Sequence, residues 1–208
     1  MKTPIRLVVV VALALVGNQA WAAPPKVDVA NSSIICNRVI ATAKIKPALF
    51  FGGAATATSI AIKGTVQGCQ VFSGNTATVL SGKFSGTLVG TTNDCSEVLS
   101  FPSSQVGTLT FTWKADPATP LLQTKSIVTV STMSGTTTDL GGIVGGATFV
   151  RLVLGTSGVS GAFTGGDGGA SSSNAFLTSE DVFGSITQQC ATTGIKLIHL
   201  GLGSITLG

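Results

Sequence analysis

The residues best suited to chemistry sit in one segment, TGGDGGASSS, Thr164 to Ser173, where Asp167 lies among four glycines and Ser171, Ser172 and Ser173 follow. Such a composition suits either a loop that holds an ion or phosphate, or a place where the chain turns. Calcium-binding nonapeptide repeats act by stacking, and here there is one imperfect copy with its aspartate displaced. A Ca²⁺ shell takes six or more oxygens, more than one aspartate and a few serines supply. A phosphate loop needs a lysine just after the glycines and a helix beyond, and neither follows. The segment therefore reads as a Gly/Asp turn after a strand, where positive φ is needed. Long irregular loops carry function more often than framework strands, so Asp167, Ser171, Ser172 and Ser173 form the candidate functional loop.

Hydrolytic chemistry has thinner support. The one histidine, His199, stands among Ile198, Leu200 and Leu202 and reads as structural. In GTSGVSGA, Ser160 is followed by Gly161 and Ala162, so the second glycine of a nucleophile elbow falls out of place. Asp94 with Glu97 flanks a cysteine, and Glu180 with Asp181 is expected to open a helix. A secreted hydrolase would need Asp167, His199 and a further acidic or serine residue to converge in a cleft. No catalytic residue, metal or cofactor is implied by any motif.

The compartment follows from the ends and the cysteines. Lys2 and Arg6 precede the apolar run Leu7 to Val16, and Ala20-Trp21-Ala22 closes it with small residues, the order of a signal peptide cleaved after Ala22. That run is about half of the roughly 20 residues of a membrane-spanning helix, and no second run reaches that length, so no integral membrane segment is expected after cleavage. Removing the leader leaves roughly 185 residues, enough for one domain from residue 34 to 208 after an extended lead-in at 23–33. Cys36, Cys69, Cys95 and Cys190 all lie in that part. Their wide gaps argue against a zinc site and for two disulfides in an oxidising compartment, so the protein is expected to be secreted, extracellular or in the cell envelope.

Short alternating runs of Val, Ile, Thr and Phe broken by Gly, Ser and Asn indicate strands at Ser33 to Lys46, Thr56 to Gln67, Thr76 to Val89, Gln105 to Lys114, Gln123 to Thr132, Ala147 to Leu154 and Val159 to Phe163. In the third, Leu80, Phe84 and Leu88 should share a face, and in the fourth Leu109, Phe111 and Trp113. Folding the first two strands back about Gly52-Gly53 sets Ile45 opposite Ile60, Val39 opposite Val66 and Cys36 opposite Cys69. A cross-strand cysteine pair lies within bonding reach, which favours Cys36 with Cys69 and, by elimination, Cys95 with Cys190.

Near the end the period changes. Val182, Phe183, Ile186 and Cys190 recur at spacings of three and four, which predicts a helix near Ser179 to Thr192. Thr178 with Asp181 resembles its capping box, and Gly194 its stop. The ending GIKLIHLGLGSITLG is apolar enough for a central last strand. The fold class is thus mainly β, an antiparallel β-sandwich or flattened barrel with one short helix near the C-terminus.

Charge and aromatic content narrow the partners. Only 10% of residues are charged, and the formal net charge of +4 includes Lys2 and Arg6. Basic residues stand singly along the chain and form no run, so no nucleic-acid partner is expected. Four stretches, IICN at Ile34 to Asn37, TWK at Thr112 to Lys114, FTGGDGGASS from Phe163 and the closing GIKLIHLGLGSITLG, resemble a loose group of small secreted β-rich proteins of unknown function from actinobacteria. The likeness extends over most of the mature chain; it implies secretion and a shared β-rich fold and brings no activity. The expected role is a non-enzymatic extracellular or cell-envelope domain acting through surface or ligand contacts. A self-assembling or strand-exchanging surface protein is the alternative, since long low-charge strands have adhesive edges.

Overall fold

A computed structural model of the chain describes residues 23–96, 102–103, 105–139, 147–165 and 173–208. Its elements are β1 (Ser33–Leu49), β2 (Thr58–Ser73), β3 (Val79–Gly90), β4 (Pro102–Ser103), β5 (Val106–Ala115), β6 (Lys125–Asp139), β7 (Thr148–Gly161), β8 (Asn174–Val182), α1 (Phe183–Ala191) and β9 (Ile195–Leu207). Apart from the two-residue β4, which lies along β6, every strand pairs antiparallel with the next long one, and β9 returns to β1. Eight strands thereby close into a ring, and the mainly β expectation with one short C-terminal helix holds.

The first hairpin has the expected register: Ile45 faces Ile60, Val39 faces Val66 and Cys36 faces Cys69. Both expected disulfides are formed, Cys36–Cys69 and Cys95–Cys190, with no free cysteine left. Gly52, at φ 67°, supplies the left-handed residue in the turn.

Inside the ring, large and small side chains alternate between neighbouring strands. Gly64 lies between Ala41 and Phe84, and Gly82 between Val66 and Trp113. A Cβ at Gly64 would stand 2.5 Å from the Ile40 carbonyl oxygen and 2.7 Å from the Phe84 ring, so the missing side chain is what lets these strands approach. Phe84 stacks on Phe111 at 5.0 Å, Phe111 on Trp113 at 5.4 Å, and Phe163 meets Trp113 edge-on at 5.3 Å. Trp113 is buried and its Nε1–H donates to Ser126 Oγ at 2.8 Å, which satisfies the indole's one donor. Among Leu109, Phe111, Val128 and Leu154 the interior leaves a void of only about 10 Å³. That is at the limit of room for one water.

Each mouth of the ring is covered. At one, the lead-in docks: Val27 bridges Leu121, Val29 is fully buried, and the Phe163 and Gly165 amides donate to Val29 and Ser32 carbonyls at 3.0 and 3.2 Å. At the other, α1 buries Ile186 and Cys190, and the second disulfide ties it to the segment after β3. Gly194, at φ 73°, closes α1 by donating its amide to the Gln189 carbonyl at 2.7 Å. Among the described residues no helix is long and apolar enough to cross a membrane.

Three sequence expectations change. The helix begins at Phe183 rather than near Ser179, because Asn174 to Val182 pairs with both β7 and β9; Thr178, Glu180 and Asp181 are strand residues, and α1 has neither a side-chain N-cap bond nor an acid in its first turn. Leu80 does not share the face of Phe84 and Leu88: the register shifts between Val79 and Ser81, which buries Val79 and turns Leu80 out, 45% exposed. The two strands expected at 147–154 and 159–163 are one, β7, in which Gly155 and Gly158 pair with Thr132 and Thr129 instead of turning. The lead-in packs on the domain from Val27 onward, and Ser33 opens β1, at the start expected for the first strand.

Candidate functional site

Of the loop singled out from sequence, Thr164, Gly165 and Ser173 belong to the described residues. Asp167, Ser171 and Ser172 lie outside the described residues. Ser173 is buried, its Oγ accepts the Gly208 amide at 3.0 Å, and its carbonyl accepts Thr156 Oγ1–H at 2.7 Å. Its hydroxyl is a clasp on the chain's last residue. His199 sits on the outer side of β9 directly opposite Thr42 of β1. Of the carboxylate pairs, Glu97 lies outside the described residues, while Asp94 Oδ1 accepts the amide of Ser96 at 2.8 Å in a local turn.

With the interior filled by apolar side chains, the outward positions are what the strands offer to a ligand. Strands β1, β2, β3 and β5 are consecutive neighbours in the ring. Together they carry Arg38, Lys44, Lys46, Lys63, Lys83 and Lys114 and no aspartate or glutamate. Register decides how these cations are arranged. Lys44 pairs with Ala61, two residues before Lys63; Lys63 pairs with Ser85, two residues after Lys83; Lys83 pairs with Thr112, two residues before Lys114. Because the strands alternate in direction, each step moves one strand across and two residues toward the same mouth. All four lysines are exposed. Strands about 4.8 Å apart and a rise of about 3.4 Å per residue put successive lysine Cα atoms about 8 Å apart, and the whole diagonal spans roughly 25 Å.

Around this diagonal most outward residues are hydroxylic, with Ile40 and Ala61 as exposed apolar exceptions. Thr42 faces Lys63, Thr65 faces Lys83, and Ser85 and Thr110 face each other in the next pair. A concavity of about 530 Å³ is centred here, lined by Ile40, Thr42, Lys63, Thr65, Lys83, Ser85 and Thr112, with Gly64 and Phe84 at its floor. The close approach of β1, β2 and β3 at Gly64 draws the wall inward and accounts for the hollow. The lysines that stand singly in sequence are therefore gathered by pairing into one stripe.

A second concavity, about 450 Å³, opens where the β1–β9 pairing lapses between Cys36 with Ile205 and Ala41 with Leu200. It brings Arg38 and Glu180 to one cleft with Phe149 and Leu202. Gly201 makes room for Glu180, whose Cγ lies 3.1 Å from where a Cβ would be. One cation and one anion offset each other there, so this cleft has less preference for a charged ligand than the lysine face. Among the described residues no group of three or more His, Cys, Asp or Glu side chains is placed to hold a metal ion. Compared with protein-family models, curated proteins and solved structures, the chain matches none.

Proposed function

We propose that this chain is an exported, non-enzymatic binding domain of the extracellular space or cell envelope that works through its outer surface. The observation that carries this reading is the acid-free lysine diagonal crossing β1, β2, β3 and β5, whose middle two members, Lys63 and Lys83, line a hollow together with threonines, Ser85 and Ile40. Like charges brought this close repel one another in the free protein, and an anionic partner relieves that repulsion. The filled interior and covered mouths support an external site over an internal one. Two disulfides suit an oxidising compartment, and the leader from Met1 to Ala22 supplies the route there.

The hydrolase alternative draws little support, since His199 lies on the outer wall beside a threonine. Strand exchange uses an unpaired edge, and the eight long strands each have a partner on both sides. The test is lysine footprinting. The mature protein is acetylated with and without the polymer fraction of its own culture's envelope, and each site is read by mass spectrometry. Protection of Lys44, Lys63, Lys83 and Lys114 over Lys26 and Lys125 is expected. Uniform protection, or protection of Lys26 alone, contradicts the reading.

A further inference from the structure

We infer that the ligand of the lysine face is a linear acidic polysaccharide, a chain carrying carboxylate, sulfate or phosphate groups on a polyhydroxylated backbone; this rests on the outer-surface reading above. The four cations form a line of three steps of about 8 Å, a geometry that matches a repeating charge on an extended chain better than one compact anion. Lysine ammonium groups act as mobile point charges without the fixed fork that arginine presents to a single phosphate, and the diagonal contains no arginine. Between the charges stand Thr42, Thr65, Ser85, Thr110 and Thr112, whose hydroxyls both donate and accept and so match sugar hydroxyls.

The same face argues against single-stranded nucleic acid. Sequence-tolerant binding of that kind relies on aromatic side chains on which bases stack. Here Phe84, Phe111 and Trp113 are all buried inside the ring, and no outward residue of the hollow is aromatic. The exposed Phe50 and Phe51 belong to the turn after β1, and the exposed Phe72 to the far end of β2, all beyond the diagonal. A membrane surface fits less well too, because Ile40 is the one exposed large apolar side chain lining the hollow, among its lysines and hydroxyls.

The test measures the affinity of the mature protein for size-defined heparin oligosaccharides, oligogalacturonate and single-stranded oligothymidylate across a salt series. The expected result is binding of one or both glycans that weakens with salt, with a log–log slope of about −3 for four engaged lysines. Lys63→Gln with Lys83→Gln should weaken glycan binding by roughly 10- to 100-fold at low salt and reduce the slope by about two. The charge-matched control, Lys26→Gln with Arg151→Gln, should bind like the parent. Equal weakening in the control would overturn the inference, because net charge alone would then explain it. Tighter binding of oligothymidylate than of either glycan, still lost in Lys63→Gln/Lys83→Gln, would overturn the ligand class and leave the outer-surface reading standing. Glycan binding unchanged in that variant would overturn both.

Discussion

Removing the second disulfide by Cys95→Ala with Cys190→Ala should uncover how α1 is held. The bridge spans a sequence separation of 95 residues. Loop-closure entropy in the unfolded chain then assigns it about 4.7 kcal/mol, against about 3.7 kcal/mol for Cys36–Cys69 with its separation of 33. At about 2–4 °C per kcal/mol for a domain of this size, melting should fall by roughly 10–19 °C. The local consequence separates the two bridges more sharply. With nine residues, α1 is too short to persist on propensity and has no side-chain N-cap bond, so Ile186 and Cys190 are its principal anchors. The first hairpin, in contrast, keeps its ladder on either side of Cys36–Cys69. Calorimetry gives the melting temperature and amide hydrogen exchange gives the location. Loss of the second bridge should expose α1 amides while β1, β2 and β3 stay protected. A melting change under about 3 °C, or unchanged exchange in α1, refutes the reasoning.

Peptide mapping under non-reducing conditions should recover Cys36 linked to Cys69 and Cys95 linked to Cys190; any crossed link would contradict the hairpin register. Trp113→Phe removes the bond to Ser126 and part of a packed aromatic row, and chemical denaturation should register a loss of about 2–3 kcal/mol. A loss below about 0.5 kcal/mol would mean the row is not part of the core. Ser173→Ala frees the Gly208 amide and should cost about 1–2 kcal/mol without changing ligand affinity; a selective loss of binding would return that residue to the functional site. Adding a calcium chelator should leave the melting temperature of the parent unchanged, and a fall of several degrees would restore the Gly-rich segment around Asp167 as a cation site.

Local pattern carried the reading wherever the register was simple. Alternation placed Leu109, Phe111 and Trp113 on one inner face, and a two-glycine turn was enough to align Cys36 with Cys69. The same fold-back sets Thr42 opposite Lys63 and brings Lys44 diagonal to it, so the start of the lysine stripe was within reach of the hairpin argument. Its continuation through Lys83 and Lys114 needed two more registers, those of β2 with β3 and of β3 with β5. Glu180 and Asp181 carry the composition of a helix start, but pairing of β8 with β7 and β9 outweighs that weak propensity. Gly155 and Gly158 look like turn residues in sequence; in β7, Gly155 instead makes room for Thr132, whose Oγ1 would meet a Cβ there. The ring itself depends on β9 meeting β1 across nearly the whole chain, a contact that no local pattern encodes.

The most direct measurement is amide shift mapping of the mature, isotopically labelled protein on titration with a heparin oligosaccharide. The largest changes should trace Thr42, Lys63, Thr65, Lys83, Ser85 and Thr112 across four strands, with the core amides of β6 and β7 unmoved. Changes centred on the Ser173–Gly208 clasp, or on the cleft between Arg38 and Glu180, with the lysine diagonal silent, would contradict the outer lysine face as the working surface.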